Sequence, residues 1–205
     1  MVRLLFLGIA LFRNQLLSVL FFGIALFFFV YLFQYYMSGA GGPTLLAVGM
    51  VPVAFILMTL DALRRKEFYP RLGPAANYAI GGVYIALSLL VAVYLTREFE
   101  VIGTVRAGIY SPPDLVIGGV MVALIMEYTR KRYFPLFVVN ILLILYSVYG
   151  WVVPGLFGHP GLSWTRVGSA LSVEMATGVF SRLPQLALTL IGSFILVLSI
   201  LRGFG

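Results

Sequence analysis

The chain has 205 residues, of which 61% are hydrophobic and only 10% charged, and its mean hydropathy is +1.05. So little polar surface cannot cover a water-soluble globule of this size, which excludes a soluble domain and leaves an all-α integral membrane protein. The net charge of +7 rests on 14 Lys and Arg spread along the chain at the ends of apolar runs, a distribution that suits lipid phosphates and not nucleic acid.

Cysteine is absent and His159 is the single histidine, so disulfides, thiol chemistry and the usual soft-metal sites are excluded, and no cofactor is expected. The first charge-free run extends from Asn14 to Leu60. A spanning helix needs roughly 20 mostly apolar residues, and a charge at the bilayer centre costs on the order of 3 kcal/mol. Charge-free stretches therefore mark the lipid.

Segment one is expected over Leu16–Met37. Arg3 ahead of an apolar run, with Ser38-Gly39-Ala40 beyond it, resembles a signal peptide, but the apolar core Leu16–Phe33 is longer than a signal core and is expected to be a retained helix. Its phenylalanines, Phe21, Phe22, Phe27, Phe28 and Phe29, suit lipid contact, and Tyr31, Tyr35 and Tyr36 suit an interface. The run from Ser38 to Pro43 cannot sustain a helix. Segment two is expected over Thr44–Leu60 with a kink at Pro52, segment three over Asn77–Leu95, segment four over Pro112–Tyr128, segment five over Phe134–Val152 and segment six over Leu183–Leu201.

At the start of segment four, Ser111, Pro112 and Asp114 form an S-x-x-D capping signature, which marks Asp114 as a cap. Before segment six, the stretch from Ser163 to Gly178 places Trp164, Val167, Leu171 and Met175 on one helical face, with Thr165, Arg166, Ser169 and Ser172 elsewhere. A short amphipathic helix is expected there, lying in the outer interface or packed under a neighbouring subunit. With both termini cytoplasmic, ten basic residues fall inside and four, Arg97, Arg106, Arg166 and Arg182, fall outside.

No ionisable residue is expected at a span centre. Asp61 is within reach of Arg64 and Arg65, and Glu127 of Arg130 and Lys131, at i+3 and i+4. These pairs neutralise helix ends, and Glu127 also suits contact with another subunit. Asn140 in segment five is expected to be buried and to hydrogen-bond across helices. His159 suits a turn-stabilising role in a Gly/Pro-rich loop, although an enzyme acting through His159 and Glu174 is a third possibility. With no H-E-x-x-H or G-x-S-x-G, an enzyme is not expected. Gly82-x-x-x-Ala86 and Gly119-x-x-x-Ala123 are small-residue pairs that allow close helix approach.

From Val105 onward an ordered series of motifs resembles a known family. Arg106-Ala107-Gly108, Asp114 with Gly118, and Glu127-Tyr128-Thr129-Arg130-Lys131 resemble the E-x-T-R-R region of fused membrane components of TRAP (tripartite ATP-independent periplasmic) transporters. Leu145-Tyr146-Ser147-Val148-Tyr149-Gly150, Val153-Pro154-Gly155, His159-Pro160-Gly161, Gly178-Val179-Phe180 and the final Arg202-Gly203-Phe204-Gly205 continue the series in order. Phe134 and Ser181 stand where the family usually has Gly. Residues 1–104 match only in layout, as small-subunit-like helices, and residues 105–205 resemble the fused permease region.

The resemblance implies a scaffold subunit of a sodium-coupled importer of organic acids or amino acids, of the TAXI-associated type, in a bacterial or archaeal cytoplasmic (inner) membrane. It implies two partners besides the bilayer: a large TRAP membrane subunit and an extracytoplasmic substrate-binding protein. In the family, the broken hairpins that hold sodium and substrate would follow Gly205. Glu127, Arg130 and Trp164 are the expected partner contacts. A membrane assembly or interaction protein with no transport role is the competing expectation.

Overall fold

The computed structural model describes residues 2–175 and 177–204, with side chains from Gln15 onward. The described residues are helices and turns with no strand, and six helices are long and apolar enough to cross a membrane. In chain order the elements are α1 (Val2–Ser38), α2 (Gly42–Arg64), α3 (Pro74–Arg97), the short α4 (Phe99–Gly103), α5 (Pro112–Arg132), α6 (Phe134–Tyr149), α7 (Trp164–Ser172), α8 (Arg182–Leu186) and α9 (Gly192–Gly203). Two 3₁₀ turns, Gly150–Val152 and Gly155–Phe157, follow α6. A π-helical segment, Ala187–Ile191, joins α8 to α9 to make one apolar stretch over Arg182–Gly203.

The breaks fall where the chain lacks helical options. Gly39, Gly41 and Gly42 adopt φ of 65°, 79° and 71°, a left-handed conformation that side chains resist, so the chain reverses between α1 and α2. Prolines open α2, α3, α5 and α6 in the first turn, where no amide hydrogen bond is lost. Helix α2 continues through Pro52, which is fully buried.

Helices α2 and α3 form an antiparallel hairpin, and α5 packs on α3. The largest core gathers Val48 and Phe55 of α2, Val91 and Leu95 of α3, Ile102 of α4, and Met121 and Leu124 of α5, closed by Val173 and Phe180 from the connection between α7 and α8. It therefore draws on both sides of residue 104. A second cluster packs Leu17 of α1 and Phe68 against Ile56, Leu60 and Leu63 of α2, and a third packs Leu32 of α1 against Leu46, Met50 and Val53. Phe22, Phe27 and Phe29 face outward, whereas Phe21 and Phe28 turn into these clusters. The Tyr36 hydroxyl donates to the Leu188 carbonyl, which ties α1 to the last span at its π-helical turn.

Burial is graded across the bundle. In its most apolar window α2 is 56% buried, α6 only 6% and the last span 0%. Close approach occurs one residue away from the expected small-residue pairs. Nothing lies within 4 Å of a Cβ placed on Gly82 or Gly119, but a Cβ on Gly81 would meet Leu63 at 2.5 Å, and one on Gly118 would meet Val173 Cγ1 at 2.6 Å and Ser172 Cβ at 2.9 Å.

The amphipathic helix before segment six is α7, shorter than 163–178 and packed on α5 and α6. Its buried residues are Val167, Ser169 and Ser172, so two of the polar positions expected away from the contact lie inside it. For Ser172 the reason is the close approach at Gly118, where a Cβ would already meet the serine Cβ at 2.9 Å, so a larger side chain at 172 has no room. The serine hydroxyls donate back to their own helix, Ser169 to the Arg166 carbonyl at 3.0 Å and Ser172 to the Gly168 carbonyl at 2.6 Å.

Gly118→Val should therefore force α7 from α5 and cost about 1–3 kcal/mol of stability. Gly119→Val should be near neutral. Thermal unfolding of the detergent-purified variants checks the difference, and equal melting temperatures for the two would contradict this packing.

Candidate functional site

Polar side chains collect at the two ends of the α2–α3–α5 core. At the α5 amino end, Asp114 has no exposed surface. Its carboxylate accepts from the Ser111 amide at 2.9 Å and the Ser111 hydroxyl at 2.6 Å, completing the cap expected from the sequence. It also accepts from the Tyr94 hydroxyl at 2.8 Å and from Arg106 at 2.7 and 2.9 Å. Arg106 reaches the other way to Glu98, so one guanidinium joins the end of α3, the α4 turn and the start of α5. Sequence spacing exposed the Ser111–Asp114 half of this network. Tyr94, Glu98 and Arg106 could not be found from spacing, because the Tyr94–Asp114, Arg106–Asp114 and Arg106–Glu98 contacts each span eight or more residues.

At the opposite end of α5, Glu127 accepts from Arg130 Nε at 2.6 Å and from its terminal nitrogen at 2.7 Å, a two-point contact. The same carboxylate accepts from the Tyr69 hydroxyl at 2.7 Å, and the Tyr69 and Tyr84 oxygens lie 3.1 Å apart. The turn between α2 and α3 is thus fastened to α5. Lys131 places its Nζ over the rings of Tyr69 at 3.2 Å and Phe68 at 4.1 Å from the centroids. Of the two partners expected for Asp61, Arg65 forms the ion pair at 2.8 Å, while Arg64 lies over the Phe21 ring at 4.6 Å.

Of the expected partner contacts, Glu127 keeps 23% of its side chain exposed and Arg130 48%. Trp164 is 54% exposed with its ring edge against Tyr149. Asn140 corrects the expectation of burial: it is exposed on α6, because α6 meets the bundle along so little of its surface. His159 sits in the turn after α6. Its amide donates to the Gly150 carbonyl at 3.2 Å, its Nδ1 accepts from the Gly161 amide at 3.0 Å, and its ring lies edge-on to Tyr146. A Cβ on Gly150 would fall 2.1 Å from that ring, so Gly150 is the seat of the imidazole. Glu174 pairs with Arg166 at 3.1 Å. Among the described residues, no three His, Asp or Glu side chains gather where they could hold a metal ion.

This bundle, with polar networks at its ends and apolar faces around them, is a multi-pass membrane protein. No protein-family model, curated protein or solved structure matches the chain.

Asp114→Ala strips Arg106 and Tyr94 of their acceptor and should lower stability by about 3 kcal/mol, whereas Asp61→Ala, at an exposed pair, should cost no more than about 1 kcal/mol; thermal unfolding of the two variants separates them. Burial, and then hydrogen bonding with Tyr84 and Glu127, raises the Tyr69 phenol well above its usual value. A raised folded value means that the Tyr69 contribution is whole below about pH 10, the unfolded phenol value, and is lost as pH climbs toward the folded value. Stability should fall on raising the pH above about 10, and Tyr69→Phe should flatten that fall in melts recorded across the alkaline range.

Proposed function

We propose that the chain is a non-catalytic membrane scaffold of a TRAP-type, sodium-coupled importer of organic acids or amino acids. It works beside a large membrane subunit that moves substrate and an extracytoplasmic binding protein that captures it. The observation that carries this reading is Asn140, an exposed amide roughly two turns inside an apolar span that the rest of the chain leaves uncovered. In hydrocarbon an amide without a partner costs several kcal/mol, and a helix from another subunit relieves that cost by hydrogen bonding to it. The exposed faces of α6 and of the last span supply apolar area around that contact.

The ordered motifs support the same reading. Asp114, Gly118, Glu127, Gly150 and His159 each perform a packing task in this bundle, which is what residues shared by a family of scaffolds would do. Charged groups at the ends of the core act as fasteners between helices, a role consistent with a fixed part beside a moving one.

The test is affinity purification of the tagged chain from its native membrane in mild detergent. A large multi-span protein bearing the transport core should co-purify, and deletion of the chain should abolish sodium-dependent uptake. Recovery with unrelated partners, and uptake unchanged by the deletion, would replace this reading with an assembly protein that has no transport role. Asn140→Leu should reduce recovery of the large partner about 3- to 10-fold, the loss of one interhelical hydrogen bond, while the isolated chain keeps its melting temperature.

A further inference from the structure

No Lys, Arg, Asp or Glu occurs between Arg132 and Arg166, so the charge-free run that begins with α6 continues well past its end. Helix α6 is 16 residues long and rises about 24 Å, short of a hydrocarbon core of about 30 Å. Arg130, Lys131 and Arg132 hold its start at one membrane surface, which leaves Tyr149 still inside the opposite leaflet. The 3₁₀ turn Gly150–Val152 adds about 6 Å. The far boundary of the hydrocarbon is therefore reached only at Val152, where the apolar span itself ends.

The chain then turns back. The His159 amide donates to the Gly150 carbonyl at 3.2 Å and the Leu162 amide to the Ser147 carbonyl at 2.9 Å, so Leu162 returns to the level of a residue inside α6. The Tyr146 hydroxyl donates to the Phe157 carbonyl, and Pro154 and Pro160 carry no amide that needs a partner. Internal hydrogen bonding of this kind is what backbone at membrane depth requires. Glycine permits the closure. A Cβ on Gly150, Gly158 or Gly161 would fall 2.1 Å from the His159 ring, 2.4 Å from the Val153 carbonyl oxygen or 2.2 Å from the Val148 carbonyl oxygen.

The turn is closed on itself, yet its large apolar side chains are left uncovered. Leu156 is 100% exposed, Phe157 75% and Trp151 68%. Beside them Tyr149 and Trp164 meet edge to face at 6.0 Å, the kind of aromatic belt that marks the level where acyl chains give way to headgroups. Span length, missing charge and the belt all place the turn at the same depth.

We propose that residues 150–157 form a membrane-seated wedge at the hydrocarbon boundary opposite the Arg130–Arg132 cluster, with Trp151, Leu156 and Phe157 inserted among the acyl chains beneath the headgroups. Its partner is the lipid surface, and no charge in the segment selects one headgroup over another. The wedge sets the depth of α6, a span that the rest of the bundle barely covers. This assignment is independent of any transport role.

Trp151 and Trp164 are the two tryptophans of the chain, so intrinsic fluorescence in phosphatidylcholine nanodiscs, which leave both membrane faces open to solutes, tests the proposal. Trp164→Phe leaves Trp151 as the reporter in its native place. Leu156→Trp, with both native tryptophans changed to Phe, puts a reporter at the tip, where the replaced side chain is fully exposed and the hydrogen bonds of the turn are untouched. Both reporters should emit at shorter wavelength than N-acetyltryptophanamide in water, and aqueous iodide should quench them severalfold less than it quenches that free amide. Lipid brominated near the headgroup end of its acyl chains should quench them more than lipid brominated near the chain ends. Iodide quenching as strong as that of the free amide puts the turn in water, as a surface for a soluble partner, and overturns the proposal. Protection from iodide and from both brominated lipids, the sign of cover by a second copy of the chain, overturns it too, as does stronger quenching by the deep bromines.

Discussion

A carboxylate with no exposed surface persists only if every acceptor position it offers is met, because the desolvation of an unpaired buried charge exceeds what packing returns. Asp114 meets this condition through Ser111, Tyr94 and Arg106, and the need to meet it determines how the α5 amino end is built. Tyr94 has to come from α3, Arg106 has to follow α4, and Glu98 has to balance the second arm of the guanidinium. Three elements are thereby held in one arrangement, and the core of Val91, Leu95, Ile102 and Met121 packs directly beneath them. At the far end of α5, Glu127 performs the matching task with Tyr69 and Arg130. The α3–α5 contact is therefore fastened at both ends by charge-assisted hydrogen bonds, and van der Waals packing acts between them.

Around that fastened core the helices differ in kind. α2 is enclosed by neighbours, whereas α6 and the last span touch the rest of the chain along narrow seams. In a membrane this asymmetry is tolerable because lipid is as apolar as Leu or Phe, so an uncovered apolar face costs little. A polar residue on such a face is different. Asn140 is the place where the chain's own packing leaves an amide without cover, and it directs attention to what lies outside the chain.

Glycine acts as a spacer at several points in this architecture. Gly118 admits α7, Gly81 admits Leu63, and Gly150 seats the His159 ring. At each, a methyl group would overlap existing atoms.

The sequence alone determined the spans, because the hydrocarbon thickness and the cost of buried charge impose a length and a composition that are visible residue by residue. All six expected segments lie within the observed apolar spans, which extend them by at most a few residues, although α1 itself begins at Val2 and the last residues of segment five form a 3₁₀ turn after α6. Local chemistry was equally legible: the Ser111–Asp114 cap, the Asp61–Arg65 and Glu127–Arg130 pairs and the His159–Gly161 hydrogen bond all involve residues within four positions of each other. Tertiary structure decided which face of each helix is covered, since amphipathic periodicity is weak where both lipid and protein interior are apolar. That is why Asn140 lies outside and Ser169 and Ser172 lie inside, why Gly118 and not Gly119 marks the close approach, and why Arg106, Tyr94 and Glu98 meet at Asp114. Those outcomes depend on how separate helices are rotated and fastened against one another, and no spacing within a single helix encodes that.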